Sequence, residues 1–97
     1  MEIMLHITSR DAGALATALM RALSRAEVSW GCFVTNDGAE LLRDSKFTDA
    51  LGGAGRAVVC EHSWKKLVNA PQNCPVEQGS QTINSTMMAE AERLVSL

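Results

Sequence analysis

Ninety-seven residues, 46% hydrophobic and 21% charged, are enough for one domain over residues 1–97 with one hydrophobic core, and few enough that self-association would help bury surface. A formal net charge of −2 from 9 basic and 11 acidic residues leaves no excess of Lys and Arg for a polyanion, and only Lys65 and Lys66 are adjacent, so direct nucleic-acid binding is not expected. The opening MEIMLHITSRD lacks the basic region and cleavage site of a signal peptide, and no apolar run approaches bilayer-spanning length. These features predict a cytoplasmic chain with no membrane partner, in which Cys32, Cys60 and Cys74 are reduced thiols.

The nearly continuous apolar run EIMLHIT at 2–8 predicts an interior strand covered on both faces. Thr8, Ser9 or Asp11 can cap the helix that follows. In that helix, AGALATALMRALSRAE, Leu15, Leu19 and Leu23 fall four apart, with Ala12, Ala16, Ala22 and Met20 on the same side. The stretch VSWGCFVT at 28–35 is rich in strand formers and ends in the turn chemistry of Asn36-Asp37-Gly38, with Cys32 read as a small core residue. Residues 39–51 are weaker helix formers in which Ser45 can cap a short helix through Leu51. GGAG at 52–55 stops the pattern; it precedes a strand and lacks a GK[ST] ending, so it is a turn and not a phosphate loop.

RAVVC at 56–60 is a third strand, and HSWKKLV reads as helix directly after it. The segment 69–80, with two prolines, two asparagines and a glycine, predicts an irregular connection holding a short strand around Val76. Ser80 or Thr82 can cap a last helix in which Ile83, Met87 and Ala91 share a face, and RLVSL closes the chain as a strand. Alternation of strand and helix predicts an α/β fold, a three-layer α/β/α sandwich on a mainly parallel sheet of about five strands. Asn84-Ser85-Thr86 has the form of a glycosylation acceptor, a chance match in a cytoplasmic chain.

In a parallel sheet the carboxyl ends of the strands share one edge, where ligands bind. Cys60, Thr8, Asn36 and the Gly79-Ser80 pair are predicted to gather there. A thiol ending a strand against a helix start near His62 or Ser63 meets free N–H groups that favour the thiolate, and a protonated His62 turned inward would add to this, while Glu61 would oppose it. Position alone leaves open a buried, inert Cys60. Spacing excludes a thiol phosphatase, because no Arg follows at five residues, and thioredoxin chemistry, because Ser63 stands where the second Cys belongs. The three Cys and two His show no paired close spacing for zinc, so no metal is expected, and no cofactor either. Cys74 is either an inconsequential loop cysteine or a resolving thiol for Cys60.

Three segments carry a resemblance. RAVVCEHS at 56–63, QGSQTINSTMMAEAERLVSL at 78–97 and, more weakly, FVTNDGAELL at 33–42 resemble the DsrE/DsrF-like family of small sulfur-relay proteins. With the opening strand and helix the likeness covers nearly the whole chain. It implies that Cys60 accepts sulfane sulfur as a persulfide and passes it to a partner thiol, with sulfur donor and acceptor proteins as partners. It also implies anion stabilisation by backbone N–H groups near Cys60, His62 and Ser63 and by Gly79-Ser80. After the cysteine, Glu61, His62, Trp64 and Lys65-Lys66 stand where family relays commonly carry small residues and an Arg-Gly pair; Trp64 is bulky enough to cover the thiol or fill an interface. Relatives form dimers, trimers or hexamers, and some lack the active cysteine and act as structural partners. The expectation is therefore a homo-oligomeric sulfur carrier, with a non-catalytic binding or assembly subunit as the alternative. Trp30, Trp64 and Met87-Met88 are candidates for the interface, although such residues are more often core. A small-molecule hydrolase is disfavoured by the missing base and oxyanion motif.

Overall fold

The computed structural model describes residues 1–71 and 73–97. Gln72, inside the predicted irregular connection, lies outside the described residues. Five strands, β1 (Ile3–Ile7), β2 (Trp30–Val34), β3 (Arg56–Cys60), β4 (Glu77–Gly79) and β5 (Arg93–Ser96), form one sheet in the order β4-β3-β2-β1-β5. Every pairing is parallel. The connecting helices are α1 (Gly13–Arg25), α2 (Ser45–Leu51), α3 (Glu61–Lys65) and α4 (Gln81–Glu90), with short 3-10 segments at Arg10–Ala12 and Asn36–Arg43. The predicted α/β fold and alternating order are thus those of the molecule.

The chain steps outward one strand at a time from β1 to β4, then returns across the whole sheet to β5. A right-handed crossover puts the helices of the outward steps on one face and the helix of the return on the other. Side-chain packing follows that division. On the first face Leu5, Ile7, Cys32, Val34 and Val59 pack with Ala16 and Met20 of α1, Phe47, Ala50 and Leu51 of α2, and Trp64 of α3. On the second, Met4, Phe33, Val58 and Cys60 pack with Met87, and Ile83 and Ala91 lie against them. Among the described residues α4 is the one helix on that face, so Cys60 lies beneath the thinner cover. All five residues of β2 are buried, because it is flanked by strands and covered on both faces.

Several local expectations need correction. Leu15 is 61% exposed: α1 buries the stripe centred on Ala16 and Met20, and Leu15 lies about 100° round the helix from Ala16. Ser9, of the three candidates, caps the chain after β1, its Oγ accepting from the Asp11 N–H at 3.1 Å. Asp44, not Ser45, caps α2, accepting from the Lys46 N–H at 2.9 Å. The helix after Cys60 starts at once with Glu61 and runs only five residues. Trp30, Trp64 and Met87 are core residues at 2%, 8% and 0% exposure, which leaves Met88, at 39%, as the exposed member of the proposed interface group. No described helix is long and apolar enough to cross a membrane.

Candidate functional site

Cys60 is the last residue of β3, and its register partner on β4 is Gly79. Period-two alternation along β3 sends Val58 and Cys60 to the α4 face, and Ala57 and Val59 to the other. Gly79 is buried there, and a Cβ at this position would stand 2.8 Å from Val58 Cγ1 and 2.9 Å from Ile83 Cδ1, which leaves room for glycine alone. An exposed pair between Arg56 and Glu77, at 2.7 Å, joins the start of β3 to β4. Its geometry helps set the register that brings Gly79 beside Cys60, although exposed pairs add only up to about 1 kcal/mol.

The chain leaves β2 through Thr35, which is buried and whose N–H donates to the Ile7 carbonyl at 2.9 Å. Asn36 then adopts a left-handed conformation, φ 53°, which asparagine tolerates better than most residues. That kink aims the Asn36 N–H at Ser63 Oγ, 2.8 Å away. Gly38 completes the turn, donating to the carbonyls of Thr8 and Thr35 at 2.9 and 3.1 Å. Ser63 is buried in α3, and its Oγ lies 3.3 Å from Thr35 Oγ1. From the opposite side Gln81, the first residue of α4, donates from Nε2 to Thr35 Oγ1 at 3.3 Å, and its Oε1 accepts from Asn84 Nδ2 at 3.1 Å.

This polar cluster acts on the sulfur. Burial pushes the Cys60 thiol up, but hydrogen bonding from the Ser63 backbone and hydroxyl, from the Gln81 side chain and from Thr35 outweighs it and brings the thiol down to about 7. The donors are neutral groups, so the effect is hydrogen bonding to the charged form rather than attraction to a cation. Cys32 shows the opposite balance: wholly buried in the first-face core without such donors, it is pushed up to about 12 by burial alone. Burial also raises the half-buried Cys74, which packs on the first face of the sheet, across from Cys60, and so is poorly placed as a resolving thiol.

The structure thus brings together Cys60, Ser63, Gly79 and the backbone of Asn36. Ser80 heads α4 through its carbonyl, which accepts from the N–H groups of Ile83 and Asn84 at 3.1 and 3.3 Å, while its hydroxyl makes no capping bond. His62 is exposed, and the groups acting on the sulfur do not include it. Thr8 is not at the sulfur either: its N–H and hydroxyl both donate to the Leu97 carbonyl, at 2.9 and 3.4 Å, on the β5 side. Trp64 does not cover the thiol, because it packs into the core on the opposite face.

Thr35, Gln81 and Asn84 are the residues that reading the sequence missed. Thr35 was legible, since the alternation that buries Phe33 toward α4 puts Thr35 on the same face at the carboxyl edge. Gln81 and Asn84 depend on how α4 lies across the sheet, for which the sequence holds no local signal. On the other side of Ser63 a crevice of about 220 Å³ is lined by Asn36, Asp37, Glu40, Ser63, Lys66 and Leu67. Ser63 is therefore shared between that crevice and the surroundings of the sulfur. No family model, curated protein or solved structure matches the chain.

Proposed function

We propose that the protein is a sulfur carrier of the DsrE-like type, which holds sulfane sulfur on Cys60 as a persulfide and hands it to a partner thiol. One observation carries this reading: a thiol at the carboxyl edge of a parallel sheet, brought to about 7 by neutral donors despite its burial. A thiol whose pKa lies near ambient pH combines a large thiolate fraction with retained nucleophilicity.

The Cys60 thiolate attacks the outer sulfur of a donor persulfide R–S–SH. The S–S bond of the donor breaks, a Cys60 Sγ–S bond forms, and R–S⁻ leaves and takes up the proton released from the outer sulfur. In the second step an acceptor thiolate attacks the outer sulfur of the Cys60 persulfide, and Cys60 departs as thiolate with the electrons of the broken bond. The sulfur moves as a neutral atom, so neither step needs an external oxidant or reductant. Ser63, Thr35 and Gln81 stabilise the departing Cys60 thiolate in the second step, as they do the attacking one in the first.

Incubation with a low-mass polysulfide followed by intact-mass spectrometry tests the reading. The expected product is a protein one sulfur atom heavier, with the adduct mapped to Cys60 and absent in Cys60→Ser. An unmodified protein, or an adduct retained in Cys60→Ser, overturns it. A second reading, a non-catalytic assembly subunit, is favoured by the 4% exposure of Cys60, and it predicts that the polysulfide leaves Cys60 unmodified.

A further inference from the structure

Two hydrogen-bonded chains, Asn36–Ser63 and Gln81–Thr35, meet through the Ser63 and Thr35 hydroxyls beside Cys60, and each hydroxyl already has an acceptor lone pair filled. Ser63 Oγ accepts from the Asn36 N–H at 2.8 Å, and Thr35 Oγ1 accepts from Gln81 Nε2 at 3.3 Å. A hydroxyl with a donor behind it has its own proton free to point elsewhere, here toward the sulfur or toward its neighbouring hydroxyl. The backbone fixes the first chain. The second depends on a side-chain amide, which can present either end.

We propose that Asn84 is a positioning residue for Cys60: by donating from Nδ2 to Gln81 Oε1 it holds the Gln81 amide with Nε2 turned toward Thr35 and the sulfur. Gln81 is itself exposed, so without a tether its amide would rotate into water. Asn84 is 7% exposed, and its Oδ1 is buried with no partner, so its side chain is committed to the bond at 3.1 Å with Gln81. A buried amide with an acceptor unmet is costly, and its presence in the face that α4 turns to the sheet is explained by the bond it donates. The inference rests on the proposed relay only in requiring a thiolate at Cys60.

The ionisable groups around the site are few. Glu61 and His62 follow Cys60 on α3, Asp37, Glu40 and Lys66 line the crevice on the far side of Ser63, Glu77 on β4 is engaged with Arg56, His6 lies on β1, and α4 carries no ionisable side chain before Glu90. Neutral substitutions in α4 therefore test orientation without altering charge.

The experiment measures the pH midpoint of iodoacetamide reaction at Cys60, read by mass spectrometry of its peptide, for the folded chain and for Asn84→Leu, Gln81→Leu and the double variant. Asn84→Leu is expected to raise the midpoint by about half a pH unit and Gln81→Leu by at least as much. Because Asn84 acts through Gln81, the double variant is expected to match Gln81→Leu alone. An unmoved midpoint in Asn84→Leu, or additive shifts in the double variant, overturns the proposal. Should Asn84→Leu lose its circular-dichroism signature of folding, Asn84→Ala enters the same cycle. A wild-type midpoint at the ordinary thiol value overturns the relay reading along with this one, whereas a low wild-type midpoint that Asn84→Leu leaves in place overturns this one alone.

Discussion

Removal of the Ser63 hydroxyl is the most direct perturbation of the site. The Cys60 thiol is brought from 9.0 to about 7, so at pH 7 roughly half of it is thiolate, against roughly 1% for an unperturbed thiol. Thiolate fraction alone thus favours Cys60 by roughly 50-fold. Intrinsic nucleophilicity falls with pKa with a slope of about 0.4–0.5, which costs roughly tenfold over two units. A net advantage of roughly fivefold remains before access is counted, and at 4% exposure access can cancel it. The midpoint of the pH profile is indifferent to access and is the quantity to measure. A hydrogen bond to a charged group contributes about 1.5–3 kcal/mol, so Ser63→Ala is expected to raise the midpoint by about one pH unit or more. Iodoacetamide rates over a pH series, followed on the Cys60 peptide with the Cys32 peptide as a buried control, give it directly. A wild-type midpoint near 9, or one that stays in place in folded Ser63→Ala, refutes the account of the thiolate.

Two other outcomes follow from the same geometry. Cys60 has a folded pKa below its unfolded value, so its contribution to stability is present above about pH 9 and is lost as pH falls through about 7; urea denaturation should show the wild type gaining on Cys60→Ser between those values. Gly38→Ala would place a Cβ 2.6 Å from the Ile7 carbonyl oxygen and should destabilise by about 1–3 kcal/mol, read as a lower urea midpoint with unchanged slope; an unchanged midpoint would show that the turn can move aside.

The fold was legible because its signals are local. Continuous apolar runs at 2–8 and 56–60, the capping serine at 9, and glycine breaks at 52–55 each fix an element without reference to the rest. Leu15 was misread for a physical reason: spacing of four identifies a stripe, but the small side chains of Ala12 and Ala16 let the sheet approach one side of it and leave Leu15 in water. The site was half legible. Cys60, Ser63, Asn36 and Gly79 lie where strand ends meet turns, which parallel topology alone collects at one edge. Gln81 reaches Cys60, and Asn84 reaches Gln81, because the return crossover carries α4 over the opposite face, and that is a property of strand order, which no stretch of sequence encodes.

The chemistry of the thiol follows from the same crossover. A Lys or Arg beside Cys60 would also favour the thiolate, but it would hold the anion by a long-range attraction that applies equally before and after sulfur is loaded. Thr35, Ser63 and Gln81 act only at hydrogen-bond range, and two of the three are hydroxyls that rotate. In the proposed relay an added outer sulfur would carry the negative charge one bond length outward from Sγ, and rotating hydroxyls could follow it. Transfer to an acceptor would return the charge to Sγ and the hydroxyl protons with it, so the same three side chains would serve both half-reactions. A relay of the proposed kind requires reversible, short-range stabilisation, and hydroxyls whose backs are pinned by the Asn36 N–H and the Gln81 amide are suited to it.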